Sequence, residues 1–274
     1  MTDLAVIMSV YRNDKLSYLE ESVQSILNQT YKNFTYYIAS DGPVNPDIET
    51  YLTSLKDKRV LYYKMSQNRG LATALNFLLE KVLINPDYKF IARMDSDDIS
   101  ALTRFERQRD FLLRHSDISC VGSWYQEING LGKPISYKKL PVEHENLKRS
   151  YLYRAPFAHA SVMFRRSLIE IAGFYPTDTI LMEDNVLWGK ALRSGLKFAN
   201  IPEYLFVFRK DNNFYKRRSG FKYGWHYIKT RVRINKSLNF PVYAYLLTFA
   251  VGFVKILPAF ILRFVYKTTG NRIK

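Results

Sequence analysis

Short apolar runs alternate with amphipathic segments through the first hundred residues of the chain. The strand-like apolar runs are residues 4–10, 34–39, 60–64 and 90–94. The segments with apolar positions at helical spacing are residues 16–27, 46–55 and 71–82. A β-α-β-α-β-α-β order predicts a parallel sheet joined by right-handed crossovers.

The pattern beyond residue 95 is less regular. It predicts helices over residues 102–114 and 185–194, strands over residues 118–125 and 161–164, and a hairpin with loops in residues 126–160. At the start of the first helix, Ser17 and Glu20 fit a capping box, in which each side chain bonds a free backbone N–H. The 274 residues suffice for one large α/β domain with an appendage.

Charge divides the chain unevenly. Residues 1–203 carry 26 Lys and Arg against 24 Asp and Glu, whereas residues 204–274 carry 15 Lys and Arg and one acid, Asp211. A basic tail fits nucleic acid or an anionic membrane, and the apolar stretch at 237–266 favours the membrane. Because that stretch is marginal for a span, we expect helices lying in the membrane surface, with an amphipathic helix packed on the catalytic domain as the alternative. The single cysteine, Cys120, predicts a buried thiol in a reducing compartment.

An acidic cluster follows the fourth predicted strand directly. Asp95, Asp97 and Asp98 would repel one another unless a positive group lies between them. Strand alternation directs Asp95 and Asp97 to the same side, and Mg²⁺ or Mn²⁺ binds such carboxylates together with substrate phosphates. A solvated acidic turn is the alternative, but ligands of open α/β sheets collect at the carboxyl ends of strands.

Three further positions are candidates at the same edge of the sheet. Asp41 ends the second strand, where it could accept hydrogen bonds from a base or sugar, and Tyr11 ends the first, where it could stack on that base. An ordinary turn explains each equally well. Glu183 and Asp184 lie at the start of a predicted helix. Their negative charges could complement the helix dipole, or one carboxylate could act as a general base.

Other protein classes share parts of this pattern. The acidic cluster loosely fits the D-x-D-x-[TV] motif of haloacid-dehalogenase-like phosphotransferases, although that family places it on the first strand. An EF-hand is disfavoured, because Ser100 replaces the required glycine and Ile99 replaces a ligand. A basic membrane-bound scaffold with a degenerate site is the non-enzymatic alternative.

Seven motifs, in order and spacing, resemble family 2 glycosyltransferases over about residues 4–210. They are residues 6–12 (VIMSVYR), 25–31 (SILNQTY), 41–42 (DG), 68–76 (NRGLATALN), 93–98 (RMDSDD), and 159–165 (HASVMFR) with 183–184 (ED). The resemblance is greatest to bacterial enzymes of exopolysaccharide or lipopolysaccharide synthesis, of the amylovoran-biosynthesis type. Two departures are Pro43, where the family often has Ser after the glycine, and Arg12, where many relatives have Asn.

The resemblance implies an α/β GT-A fold, with a Rossmann-like, mostly parallel sheet flanked by helices. It implies inverting sugar transfer from a nucleotide-sugar, usually a UDP-sugar, with Mn²⁺ or Mg²⁺ as cofactor. The implied roles are uracil binding for Tyr11 and Asp41, nucleotide contact for Asn68 and Arg69, ribose and metal contact for Asp95, metal ligation for Asp97, and the catalytic base for Asp184. His159 and Glu183 would face the diphosphate or acceptor, and a structural histidine is the alternative for His159.

The expected organisation is a catalytic domain over residues 1–208, followed by a membrane-associating tail over residues 209–274. Residues 1–100 would form the nucleotide-sugar half of the domain, and residues 101–208 the acceptor half. The acceptor would be a saccharide or lipid-linked saccharide of a bacterial surface polysaccharide. We expect the protein on the cytoplasmic face of the inner membrane, with no nucleic-acid partner.

Overall fold

The computed structural model describes residues 2–211 and 214–262. The strands are β1 (Leu4–Val10), β2 (Phe34–Ser40), β3 (Val60–Lys64), β4 (Phe90–Asp95), β5 (Ile99–Ser100), β6 (Ile118–Asn129), β7 (Pro134–Lys138), β8 (Met163–Arg165) and β9 (Lys197–Lys210). The α-helices are α1 (Leu16–Leu27), α2 (Pro46–Ser54), α3 (Leu71–Ile84), α4 (Arg104–Arg114), α5 (His144–Ser150), α6 (Arg166–Ala172), α7 (Glu183–Arg193), α8 (Phe214–Arg217), α9 (Phe221–Ser237) and α10 (Val242–Ile256).

The strands of the described residues form one sheet in the order β3-β2-β1-β4-β8-β6-β9-β5, with β7 paired to β6. The first four strands are parallel, as the sequence predicts, with β1 between β2 and β4. The other half is mixed, because β8 runs antiparallel to both β4 and β6 while β6 and β9 are parallel. The carboxyl ends of β1, β2 and β4 therefore lie together at one edge.

Both faces of β1 are buried, which explains its unbroken apolar sequence. Leu4, Val6 and Met8 belong to the core beneath α1, α2 and α4, whereas Ala5 and Ile7 belong to the core beneath α3 and α7. The sheet is thus covered by helices on two sides.

Several boundaries differ from those predicted. Helix α1 begins at Leu16, with Lys15 as N-cap and no hydrogen bond from a capping side chain. The prediction of a capping box starting at Ser17 is therefore wrong. Leu16 packs against the core, and this contact places the helix start before Ser17. Strand β9 was not predicted, and it crosses the expected domain boundary at residues 208 and 209, so that Arg209 belongs to the sheet.

The described part of the basic tail consists of α8 and a hairpin of α9 and α10. Asn235 of α9 donates through Nδ2 to the carbonyl of Ala244 at 3.2 Å and to Thr248 Oγ1 at 2.9 Å. In the described ranges, none of the helices has both the length and the apolar character needed to cross a membrane. Residues 263–266 of the predicted apolar stretch lie outside the described residues.

The turn after β2 depends on Gly42, which has a φ of +79°. A Cβ at this position would lie 2.5 Å from the backbone nitrogen of Asn68, so the turn and the start of α3 approach too closely for any side chain. Gly132, at the tip of the β6–β7 hairpin, has a similar φ of +76° with no atom within 4 Å of a built Cβ.

We expect Gly42→Ala to lower the free energy of unfolding by about 2–4 kcal/mol, because backbone strain and overpacking add. The matched variant Gly132→Ala adds backbone strain without overpacking, so its free energy of unfolding should fall by about 1 kcal/mol. Urea denaturation of both proteins measures the difference, and equal losses would contradict the close approach.

Candidate functional site

The acidic loop, residues 95–98, joins the end of β4 to β5 at the carboxyl edge of the parallel strands. Carboxylate oxygens of Asp95, Asp97 and Asp98 all lie within 4.8 Å of one another. A strand precedes the loop and a strand follows it, so the helix–loop–helix of an EF-hand is absent here. The structure therefore brings the acidic cluster together and adds Asp98 to the candidate metal ligands Asp95 and Asp97.

Side chains from distant elements anchor the acidic loop. Ser22 of α1 donates to the carbonyl of Asp95 at 2.7 Å. The Ser96 hydroxyl donates to Asp14 at 2.6 Å, and Asp14 also accepts from the backbone N–H of Tyr11 at 2.9 Å. The loop is therefore positioned by α1 and by the end of β1.

Arg209 of β9 supplies the remaining anchors. Its Nε donates to the Asp97 carbonyl at 2.9 Å, and its backbone N–H donates to Asp98 Oδ1 at 2.8 Å. Its guanidinium also pairs with Glu21 and lies 4.2 Å from the centre of the Tyr18 ring. Sequence analysis missed Arg209 as a site residue, because its partners are more than 100 positions away and no local pattern links them.

Crowding of buried carboxylates changes their protonation. Burial, followed by the charges of Asp95 and Asp14, raises the pKa of Asp97 to about 7. Burial and the charges of Asp97 and Asp95 raise the pKa of Asp98 well above its usual value. Burial and mutual repulsion thus favour the protonated form of both carboxyl groups, and a bound cation would favour the ionised form.

The donor set fits a hard divalent cation. All three side chains offer carboxylate oxygens, which Mg²⁺ and Mn²⁺ prefer. Asp98 Oδ2 is buried and has no hydrogen-bond partner, which leaves an acceptor available for a ligand bond. Asp95, Asp97 and Asp98 are therefore the residues that could hold the metal.

A second acidic pair begins α7. Glu183 is 8% exposed, and burial together with the charge of Asp184 raises its pKa to about 7. Asp184 is half-buried, accepts a hydrogen bond from Asn185 Nδ2 at 3.0 Å, and has a pKa raised by burial. Leu181, just before the pair, has a φ of +54°, a conformation that costs about 1–3 kcal/mol in a residue other than glycine.

Arg93 of β4 is the cation shared by both acidic groups. It is 1% exposed, and its Nη2 lies 2.5 Å from Asp95 Oδ1. Its positive charge lowers the pKa of Asp97, Glu183 and Asp184, partly offsetting the effect of burial. From the sequence, Arg93 was placed in an apolar run and in a family motif but was given no role, although a charge in a buried strand requires a partner and could have signalled the site.

Asp41, Asn68 and Arg69 come together at the start of α3. The Asp41 carboxylate is 3% exposed and accepts from the backbone N–H groups of Arg69 at 2.7 Å and Gly70 at 2.8 Å. Asn68 Nδ2 donates to the Asp41 carbonyl at 3.1 Å. Asp41 therefore shapes this loop, and contact with a base would have to use its remaining lone pairs.

Tyr11 and His159 are the remaining residues that the sequence singled out. Tyr11 follows β1, is half-buried, and accepts a hydrogen bond from Asn13 at 3.2 Å.

His159 Nε2 lies 3.0 Å from the Tyr175 hydroxyl. Burial and the charge of Arg93 hold the pKa of His159 well below its usual value, so the imidazole is neutral. Pairing with Tyr175 fits the structural alternative for this histidine.

Helix α8 brings two more cations towards the acidic groups. The charge of Arg217 lowers the pKa of Asp14 and Asp97, whereas that of Arg218 lowers the pKa of Glu183 and Asp184. The basic tail therefore begins beside the site. Sequence analysis assigned these residues to the membrane tail alone.

The family model described as glycosyl transferase family 2 matches residues 5–172. The UDP-Gal:alpha-D-GlcNAc-diphosphoundecaprenol beta-1,3-galactosyltransferase of Escherichia coli is 30% identical over 98% of this chain and 96% of its own length. The amylovoran biosynthesis glycosyltransferase AmsE of Erwinia amylovora is 30% identical over 84% of this chain and 83% of its own length.

Solved structures share the fold at low sequence identity. S. aureus TarS in complex with UDP has a TM-score of 0.61 at 15% identity, over 88% of this chain and 70% of that chain. The mannosyltransferase PcManGT of Pyrobaculum calidifontis, in complex with GDP-Man and Mn²⁺, has a TM-score of 0.62 at 16% identity. The match covers 97% of this chain and 80% of that chain. The fold is accordingly GT-A-like, with a mostly parallel sheet flanked by helices.

We expect the metal-free protein to lose stability as pH rises from about 4 to about 7. Asp97 and Glu183 have raised pKa values, so over this range the folded state binds more protons than the unfolded state, and deprotonation favours unfolding. Urea denaturation across this range, with and without Mn²⁺, measures the effect. Asp97→Asn should flatten the dependence, as should Mn²⁺, and an unchanged slope in Asp97→Asn would contradict the pKa assignment.

We expect Arg209→Gln to weaken Mn²⁺ binding by about 10- to 100-fold, the range for residues that orient metal ligands. Arg231→Gln is the matched control, because Arg231 is equally buried and donates to the carbonyls of Tyr151 and Leu152, away from the acidic loop. Both variants should lose stability, but only Arg209→Gln should lose metal affinity in a calorimetric titration. Equal Mn²⁺ affinities would remove Arg209 as a positioning residue.

Proposed function

Because this chain belongs to glycosyl transferase family 2, we propose that it transfers a sugar from a UDP-sugar to a lipid-linked saccharide, with inversion and with Mn²⁺ or Mg²⁺ bound. The observation that carries the proposal is the arrangement of two acidic groups around Arg93. The charge of Arg93 lowers the pKa of Asp97 in the acidic loop and the pKa values of Glu183 and Asp184 at the start of α7. One group suits the metal and diphosphate, and the other suits the acceptor hydroxyl.

The donor would lie along the carboxyl edge of β1, β2 and β4. We assign uracil stacking to Tyr11, base contact to Asp41, and nucleotide contact to Asn68 and Arg69. The last two are exposed at the start of α3, next to the turn at Asp41. The UDP complex of TarS supports a nucleotide in a fold of this kind, and the E. coli relative is named for UDP-Gal.

Asp95, Asp97 and Asp98 would hold the cation, which when bound stabilises negative charge on the diphosphate as a Lewis acid. Arg217 and Arg218 would add positive charge on the same side as the leaving group. These side chains and the loop anchors position the diphosphate, so that the bond to the anomeric carbon breaks with its electron pair on the departing UDP.

Asp184 would accept the proton of the acceptor hydroxyl as that oxygen attacks the anomeric carbon from the opposite face. Its raised pKa brings the carboxylate closer to the basicity needed near neutral pH. Asp184 is also more exposed than Glu183, and so better placed to meet an acceptor. A single displacement inverts the stereocentre and requires no covalent sugar–enzyme intermediate.

A lipid-linked acceptor is supported by the E. coli relative, whose name specifies a diphosphoundecaprenol-linked saccharide. We propose the cytoplasmic face of the inner membrane as the place of reaction, which agrees with the buried free thiol of Cys120. The haloacid-dehalogenase alternative is set aside, because the acidic loop follows the fourth strand and the family is that of glycosyl transferases.

We expect Asp184→Asn to lower kcat for sugar transfer by about 10²- to 10⁴-fold, because an amide cannot accept the acceptor's proton. The assay is transfer from a UDP-sugar to a synthetic lipid-diphosphate saccharide, with the donor chosen by screening UDP- and GDP-sugars for metal-dependent hydrolysis. The dissociation constant for UDP should stay near that of the wild type, because Asp184 does not contact the nucleotide.

Glu183→Gln is the matched control, one residue away and also in the first turn of α7. Its effect on kcat should be much smaller. Near-normal kcat in Asp184→Asn would exclude Asp184 as the base, and a collapse confined to Glu183→Gln would assign the role to Glu183. Absence of metal-dependent turnover with every nucleotide-sugar would favour the scaffold alternative.

A further inference from the structure

The α9–α10 hairpin has one helix with a basic stripe and one with an apolar stripe. The buried residues of α10 are Ala244, Thr248, Gly252 and Lys255, at spacings of three or four. All four contact α9. Ala244 and Thr248 contact Asn235, Gly252 lies against Ile228, and the Lys255 ammonium lies over the Tyr223 and Tyr227 rings. Helix α10 therefore uses this one face for packing within the protein.

The opposite face of α10 is apolar and exposed. Val242 is 78% exposed, Leu246 67%, Phe249 41% and Phe253 62%. Their spacing of four, three and four residues aligns them along one side of the helix. A contiguous apolar face of this kind marks an interaction surface.

The outer face of α9 is basic. Lys222, Lys229 and Lys236 repeat every seven residues and are all exposed, so they lie on one stripe. Trp225 lies on the same stripe, with the Lys229 ammonium 5.5 Å from its ring centre. The sequence from residue 212 to the end contains no Asp or Glu, so no carboxylate of this segment offsets the charge.

We infer that the α9–α10 hairpin binds in the plane of an anionic lipid bilayer, with the apolar stripe of α10 in the acyl boundary and the lysines of α9 at the head groups. Hydrocarbon and anionic head groups complement the two stripes, and a tryptophan beside them suits the interface. A second copy of this chain paired through the same hairpin would bring two basic segments together, neither of which contains an acidic residue. Repulsion between like charges disfavours that pairing.

The dimensions favour binding in the plane over crossing. Helix α10 has 15 residues, hence a length of about 22 Å, whereas the hydrocarbon core is about 30 Å thick. This inference concerns where the protein binds, and it stands independently of the proposed sugar transfer.

The test is co-sedimentation of the full-length protein with vesicles of phosphatidylglycerol and phosphatidylethanolamine, beside vesicles of phosphatidylcholine. Replacing two exposed apolar residues, Leu246→Gln with Phe253→Gln, should weaken binding to the anionic vesicles at least tenfold. The control pair is Ile84→Gln with Leu131→Gln, which are as exposed but lie outside the hairpin and should change nothing.

The basic stripe is tested by Lys229→Gln with Lys236→Gln. Each lysine contributes about fivefold to binding of an anionic surface, so the pair should lose at least tenfold on anionic vesicles, while binding to phosphatidylcholine stays unchanged. The control pair is Lys56→Gln with Lys89→Gln, two exposed lysines of the catalytic domain. A blue shift of tryptophan emission on anionic vesicles, lost in Trp225→Phe, supplies a readout that leaves the lysines of α9 and the apolar stripe of α10 in place.

Three outcomes would overturn the inference. They are wild-type protein that stays in the supernatant with anionic vesicles, equal losses in test and control pairs, and a dimer in sedimentation velocity that Leu246→Gln with Phe253→Gln disperses. The last would assign the apolar stripe to a second copy. Metal-dependent UDP release, measured on the same variants without vesicles, should stay normal, which separates a failure here from a failure of the proposed function.

Discussion

Repulsion between crowded carboxylates is the constraint on which this site depends. Oxygens of Asp95, Asp97 and Asp98 lie within 4.8 Å of one another after β4, and the buried Arg93 forms an ion pair with Asp95. One positive charge does not balance the group, as the raised pKa values of Asp97 and Asp98 show. We propose that the site exchanges protons for a divalent cation.

The rest of the fold holds these repelling groups in place. Helix α1 anchors the loop through Ser22, the end of β1 anchors it through Asp14, and β9 anchors it through Arg209. Because β9 continues into α8, the same strand that fixes the loop also brings Arg217 and Arg218 near the acidic groups. The catalytic sheet and the basic tail are thus joined at the site itself.

The parallel half of the sheet and the acidic loop were predictable, because buried strands with both faces covered read as continuous apolar runs. Strand β9 was not, since its half-polar sequence pairs with β6 across three register irregularities and carries no period-two pattern. The same limit hid the role of Arg209, whose partners are remote in sequence, including Asp98, which accepts from its backbone N–H. Family resemblance, rather than residue pattern, singled out Asp184.

The most direct test of the exchange is calorimetric titration of Mn²⁺ into the protein with UDP present, near pH 7, in buffers of different ionisation enthalpy. If Asp97 and its neighbours hold protons in the metal-free site, binding must release protons, and the apparent enthalpy must vary with the buffer. Asp97→Asn should show weak binding with little proton release. Tight Mn²⁺ binding with no buffer dependence in the wild type would contradict the account.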